Sequence, residues 1–184
     1  MAWQNALNIG SKEFICGWCN NKVASAAGFF NNANERIYIC PHCDKPSVFT
    51  QQAQTPGSPF GGLVDHLPAD VSGLFNEAKK CTTAACYTAA VLICRKLLMS
   101  IAVSQGAKPG NSFISYVEYL ADNGYVPPNG KGWVDHIRKK GNEATHEIVL
   151  MTRDDAHDLI SFAEMLLKFI YEFPNRVPTV PGGA

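Results

Sequence analysis

The sequence predicts a mostly α-helical chain with a small β module at its N-terminus. Three observations lead there. Four of the seven cysteines fall in two C-x-x-C pairs near the start. Short β-type runs, EFIC, RIYIC and SVFT, lie around those pairs. Beyond a Pro/Gly-rich passage, apolar residues recur at helical period up to Phe173. The expected division is a β module over 1–52, a linker over 53–69, a helical domain over 70–175 and a frayed tail over 176–184.

The β module is read from its cysteines. Cys16-Gly17-Trp18-Cys19 and Cys40-Pro41-His42-Cys43 are separated by twenty residues, the C-x2-C-x20-C-x2-C spacing of a zinc ribbon. Each C-x-x-C turn aims two thiolates at one ion, and two turns close a tetrahedron. The expected cofactor is therefore one structural Zn²⁺ per chain, held by Cys16, Cys19, Cys40 and Cys43. Four thiolates leave no open coordination position for catalysis. A module with so little core needs the ion to fold. The competing reading is a thioredoxin-like redox pair, which a βαβ pattern would accompany and which this stretch lacks. His42, inside the second turn, is a spare ligand that four cysteines make unnecessary.

The passage QQAQTPGSPFGGLVDHLP reads as a linker or an irregular wrap. A first helix follows Pro68-Ala69-Asp70, with Asp70 as candidate cap. A long one is expected over 82–104, ending near Gly106. NSFISYVEYLADNG opens at Asn111 or Ser112 and closes at Gly124. GKGWVDHIRKKG is a short helix with Gly141 at its C-cap, and Asn142 suits the N-cap of the next. The last helix starts at TRDDA, where Thr152 and Asp155 have capping-box spacing, and Pro174 is expected to stop it. The long helices over 82–104 and 153–173 are expected to pack together. Cys81, Cys86 and Cys94 sit among apolar neighbours and read as buried small hydrophobes, with reactive thiols as the lesser alternative.

Composition limits the function. Formal net charge is zero, so any nucleic-acid surface must be local. The start MAWQNALNIGSKEF has neither a basic n-region nor an apolar h-region, so no signal peptide is expected. The run AACYTAAVLICRKLLMSIAV carries Arg95 and Lys96 at its centre, which argues against a membrane span. With paired cysteines at metal-ligand spacing, a reducing, cytoplasmic compartment is the expectation.

The stretch IRKKGNEATHEI concentrates the polar chemistry. Gly141 and Asn142 are explained by helix capping, and Lys139 and Lys140 by the dipole of the preceding helix end. Arg138 and His146 are not so explained. With Asn142 they place a fixed cation, an amide and a titratable imidazole close together, a set suited to a phosphate.

YTAAVLICRKLL, LADNGYVP, WVDHIRKKGNEATH and TRDDAHDLISFAEMLLKFIYEFP together resemble the family catalogued as domain of unknown function 4145, over roughly residues 70 to 174. The most specific part is the R-x-x-G-N-x-A-x-H run over 138–146. The resemblance implies a HEPN-like helical bundle, of the kind common in bacterial and phage defence and restriction systems. It implies RNA as the favoured partner, with a protein of such a system next, and a homodimer. As a metal-independent ribonuclease, the chain would use Arg138, Asn142 and His146 as catalytic residues, with Lys139, Lys140 and Arg95 as ligand contacts. The run departs from the HEPN pattern: Lys139 follows Arg138, and seven residues rather than four to six precede His146. Starting from Lys140 restores the spacing but loses the guanidinium fork. The alternative function is a non-catalytic adapter that docks nucleic acid or a protein. Arg95 is either the buried partner of an acid or a second phosphate contact.

Overall fold

The computed structural model describes residues 3–127, 130, 132–137 and 150–177. The chain divides into two compact units, Met1–Pro59 with Thr82–Ala85, and Phe60–Cys81 with Cys86–Ala184.

The first unit is an antiparallel meander of five strands in sequential order. The strands are β1 (Leu7–Ile15), β2 (Lys22–Phe30), β3 (Arg36–Ile39), β4 (Pro46–Phe49) and β5 (Gln54–Thr55). β1 contains the predicted EFI, β3 the predicted RIYI and β4 the predicted SVF. β2, KVASAAGFF, has no counterpart among the expected strands. Ala, Ser and Gly are weak strand formers, and packing rather than propensity places them here. Ser25 is buried and donates its hydroxyl to the carbonyl of Ile39 at 2.7 Å. The core is small: Phe14, Cys16, Tyr38 and Cys40, with Phe49 packed edge-on against both Phe14 and Tyr38.

The second unit is helical. Its helices are α1 (Ala69–Thr83), α2 (Tyr87–Ser104), α3 (Phe113–Asp122), α4 over 132–137, α5 (Arg153–Leu167) and α6 (Phe173–Arg176). α2 packs against α5 and α3. By length and composition α2 could cross a membrane. Here Ala90, Val91, Cys94, Leu97, Leu98, Ile101 and Ala102 from this helix are buried in the core instead. Ser112 caps α3 by accepting the Ser115 N–H at 3.2 Å. Thr152 and Asp155 form the reciprocal capping box of α5.

Two boundaries differ from the sequence expectation. The helix expected to begin at 82 starts at Tyr87, because α1 runs on to Thr83 and the chain turns through Ala85. Ala85 adopts a left-handed φ of 56°. The Ala85 N–H donates to Thr82 O at 3.2 Å and the Cys86 N–H to Cys81 O at 2.9 Å, the two bonds of a Schellman motif. No glycine or proline marks this turn. Glycine adopts that φ without the Cβ penalty, so Ala85→Gly is expected to stabilise the chain by about 1 kcal/mol. Chemical denaturation of the two proteins checks it, and a loss of stability would contradict the strain.

Pro174 does not stop the last helix. α5 passes into a π-helical turn, Lys168–Glu172, and then into α6, which Pro174 enters near its start. The wider turn shifts the bonding register, with the Phe173 N–H reaching back to Lys168 O. Pro174 thus falls at the first positions of α6, where proline is tolerated.

Residues 60–68 lie against α5 and the π turn as an irregular strap. Phe60 stacks on His157 at 3.6 Å between ring centroids. Glu164 accepts the Gly62 N–H at 2.7 Å, and the buried Glu172 accepts the Asp65 N–H at 3.1 Å. The buried Lys79 donates to Gly62 O. Carboxylates and an ammonium thus satisfy the backbone of a segment that has no ladder of its own.

Candidate functional site

The two cysteine turns of the sheet are built alike. After β1, the Asn20 N–H donates to Cys16 O at 2.9 Å and the Cys16 N–H to Asn21 O at 3.0 Å. After β3, the Asp44 N–H donates to Cys40 O at 2.9 Å and the Cys40 N–H to Lys45 O at 3.0 Å. Asn20 and Asp44 close the turns at positive φ, 59° and 56°. Asn and Asp tolerate that conformation best among residues with a side chain. The sequence carries this signal, an Asn or Asp directly after the second cysteine of each pair, and the cysteine spacing alone does not use it. Gly17 is required for a different reason: a Cβ there would lie 2.4 Å from Pro56 O.

These turns bring the sulfurs of Cys16, Cys19, Cys40 and Cys43 within 4.8 Å of one another. The Cys16–Cys43 and Cys19–Cys40 distances are both 3.8 Å. A regular tetrahedron with metal–sulfur bonds of about 2.3 Å has edges of about 3.8 Å, so the quartet fits a tetrahedral thiolate site. His42 is exposed, lies against the Asn21 amide at 3.2 Å and is not one of the four.

The electrostatics also suit a cation. Burial opposes ionisation of Cys19, but the backbone and side-chain N–H groups of Asn21, with the thiols of Cys16 and Cys43, together outweigh it and lower its pKa to about 6. Burial raises Cys43 to about 12, with the neighbouring thiols adding to it. Burial raises Cys16 as well. Four thiolates cannot all carry charge at such spacing by themselves. A divalent cation among them would favour the ionised form of every one.

In the helical unit, Arg95 is half-buried on α2, its guanidinium 4.5 Å from the ring centre of Phe113. Its Nη1 is buried and has no hydrogen-bond partner among the described residues. No acid pairs with it among the described residues. Burial holds its pKa below the ordinary arginine value. Arg138, Lys139, Lys140, Asn142 and His146 lie outside the described residues. The helix leading to them is described. Val134 and Ile137 of α4 are buried, while Trp133 lies over Phe162 with nearly parallel rings, at 6.1 Å and 10°. His136 Nε2 is 2.8 Å from Asp158 Oδ2, both side chains part-exposed. This pair was not singled out from the sequence, where nothing links His136 to an acid on another helix.

Comparison with protein families matches residues 76–181 to the family described as domain of unknown function, DUF4145. The chain belongs to the DUF4145 family. Neither a curated protein nor a solved structure matches it. The DUF4145 segment starts within α1 and takes in Arg95, the 138–146 run and α5. The cysteine quartet lies outside it, in the other unit.

Proposed function

We propose that this DUF4145 protein is a cytoplasmic RNA-binding protein of a bacterial or phage defence system, with a zinc ribbon and a HEPN-like helical bundle. The observation that carries the reading is Arg95. A buried guanidinium nitrogen without a partner among the described residues is costly, and an anionic ligand would satisfy it. The Phe113 ring lies 4.5 Å from the guanidinium carbon, and an aromatic contact of this kind takes up none of the N–H donors that a phosphate would need. The family resemblance supplies the rest. Arg138 stabilises charge on the transferring phosphate, His146 moves the proton at the ribose 2′-oxygen or the leaving oxygen, and Asn142 orients one of them. Lys139 and Lys140 add local positive charge to a chain of zero net charge. Two copies pair, each contributing one motif.

Zinc is the ion that suits the quartet. Four thiolates at tetrahedral spacing disfavour the hard cations, which take oxygen ligands, and a closed site has no place for a substrate. Its role is to hold the sheet.

RNA titration followed by fluorescence anisotropy tests the reading. Arg95→Ala is expected to weaken binding by roughly tenfold and to reduce its salt dependence, as loss of one charge-assisted phosphate contact should. His146→Ala should keep binding and abolish cleavage measured without added divalent metal. Wild-type binding and turnover in both variants would make these residues scaffold.

One feature favours the adapter reading instead. Ser161, Glu164, Met165, Lys168, Phe169 and Phe173 line a cleft of about 310 Å³ along α5, the π turn and the start of α6. Phe169 and Phe173 stand exposed at its edge, packed edge-to-face at 5.3 Å. Absence of RNA binding by the wild-type chain in the same titration would favour a protein ligand.

A further inference from the structure

We propose that Cys81 and Cys86 are a redox-active dithiol that closes to a disulfide across the turn between α1 and α2 when it meets a low-molecular-weight disulfide. Both residues carry thiols in the structure. The backbone brings them together. The Cys86 N–H donates to Cys81 O at 2.9 Å, the bond that spans a Schellman turn. With standard bond lengths and the carbonyl angle of about 120°, that bond limits the Cα–Cα separation to about 6.8 Å even if the oxygen, nitrogen and second Cα were in line. A bent turn is shorter, which puts the pair inside the range of about 4.4–6.8 Å seen in disulfides. The Schellman motif also sets the side chains of these two positions against each other, the place usually taken by a hydrophobic contact.

Exposure divides the roles. Cys86 is exposed and meets the oxidant, while Cys81 is half-buried beside it. Burial, then Cys86 and Glu77, hold the Cys81 thiol above its ordinary pKa, which suits a thiol that acts second. In the first step the Cys86 thiolate attacks one sulfur of the disulfide RSSR, giving a Cys86 mixed disulfide and releasing one RS⁻. In the second, the Cys81 thiolate attacks the Cys86 sulfur and displaces the other RS⁻. Two protein thiols and RSSR thus become one protein disulfide and two RSH, with the protons balanced. Cys94 is fully buried, its pKa pushed up to about 12 mainly by burial, and takes no part. A disulfide in an exposed tight turn is of the labile, readily reduced kind.

The test treats the metal-loaded full chain with oxidised glutathione, alkylates the remaining thiols after unfolding, and maps the peptides by mass spectrometry. The expected product has Cys81 and Cys86 joined with the loss of two hydrogens, carries no glutathione, has an alkylated Cys94, and is returned to thiols by dithiothreitol. Cys81→Ser should trap glutathione on Cys86, and Cys86→Ser should leave Cys81 unmodified. Stable glutathione on Cys86 of the wild-type chain, a bond from either residue to Cys94, or no reaction at either residue would each overturn the proposal. None of these outcomes depends on RNA binding.

Discussion

Replacing Cys40 with serine is expected to unfold the N-terminal sheet and leave the helices standing. Cys40 is fully buried and belongs both to the metal quartet and to the four-residue core of the sheet. That core is far too small to offset the entropy of ordering five strands. In the proposed zinc ribbon the missing stabilisation comes from the ion: apparent binding energies of structural zinc sites are about 10–16 kcal/mol. A serine hydroxyl stays protonated near neutral pH and cannot replace a thiolate ligand. The helices rest on a separate set of buried residues, from Val71 to Leu167, that includes none of the sheet. Far-UV circular dichroism should therefore keep most of its helical signal while the dispersed β resonances vanish from the NMR spectrum. A variant with an intact sheet would show that the four cysteines are not what holds it.

Leu166→Asp should be the most damaging change in the helical unit. Leu166 is fully buried on α5, among Leu159, Ile160, Phe162, Ala163 and Leu167. Truncation to alanine at such a site costs about 2–5 kcal/mol for the lost contacts and the cavity. Aspartate adds a carboxylate with no partner in an apolar core, so the expected loss exceeds about 4 kcal/mol. That is a large part of the total stability of about 5–15 kcal/mol typical of a domain. Urea unfolding followed by the helical signal measures it. An unchanged midpoint would contradict the core position given to α5.

What was legible in the sequence is where a residue type has one physical use. The cysteine pairs predicted a quartet, and the four sulfurs lie together. Thr152 with Asp155 predicted a capping box, and both bonds are present. Gly106 and Gly124 predicted helix ends, and both have positive φ. What was not legible depends on partners distant in the chain. The middle of β2, residues 24–28, is Ala, Ser and Gly, and only its neighbours make it a strand. The break at Ala85 has no glycine to announce it. Pro174 is a helix stop by itself and a tolerated residue once the π turn has shifted the register. For Arg95 the sequence left an acid and a phosphate as the two partners. The structure sets no acid against it among the described residues, and places an aromatic ring against the guanidinium.

The most direct measurement is the metal content of the purified chain, by elemental analysis with parallel thiol titration under native conditions. One zinc per chain is predicted, with Cys16, Cys19, Cys40 and Cys43 unreactive until a chelator or acid removes the ion. No bound metal, with those four thiols freely titratable, would contradict it.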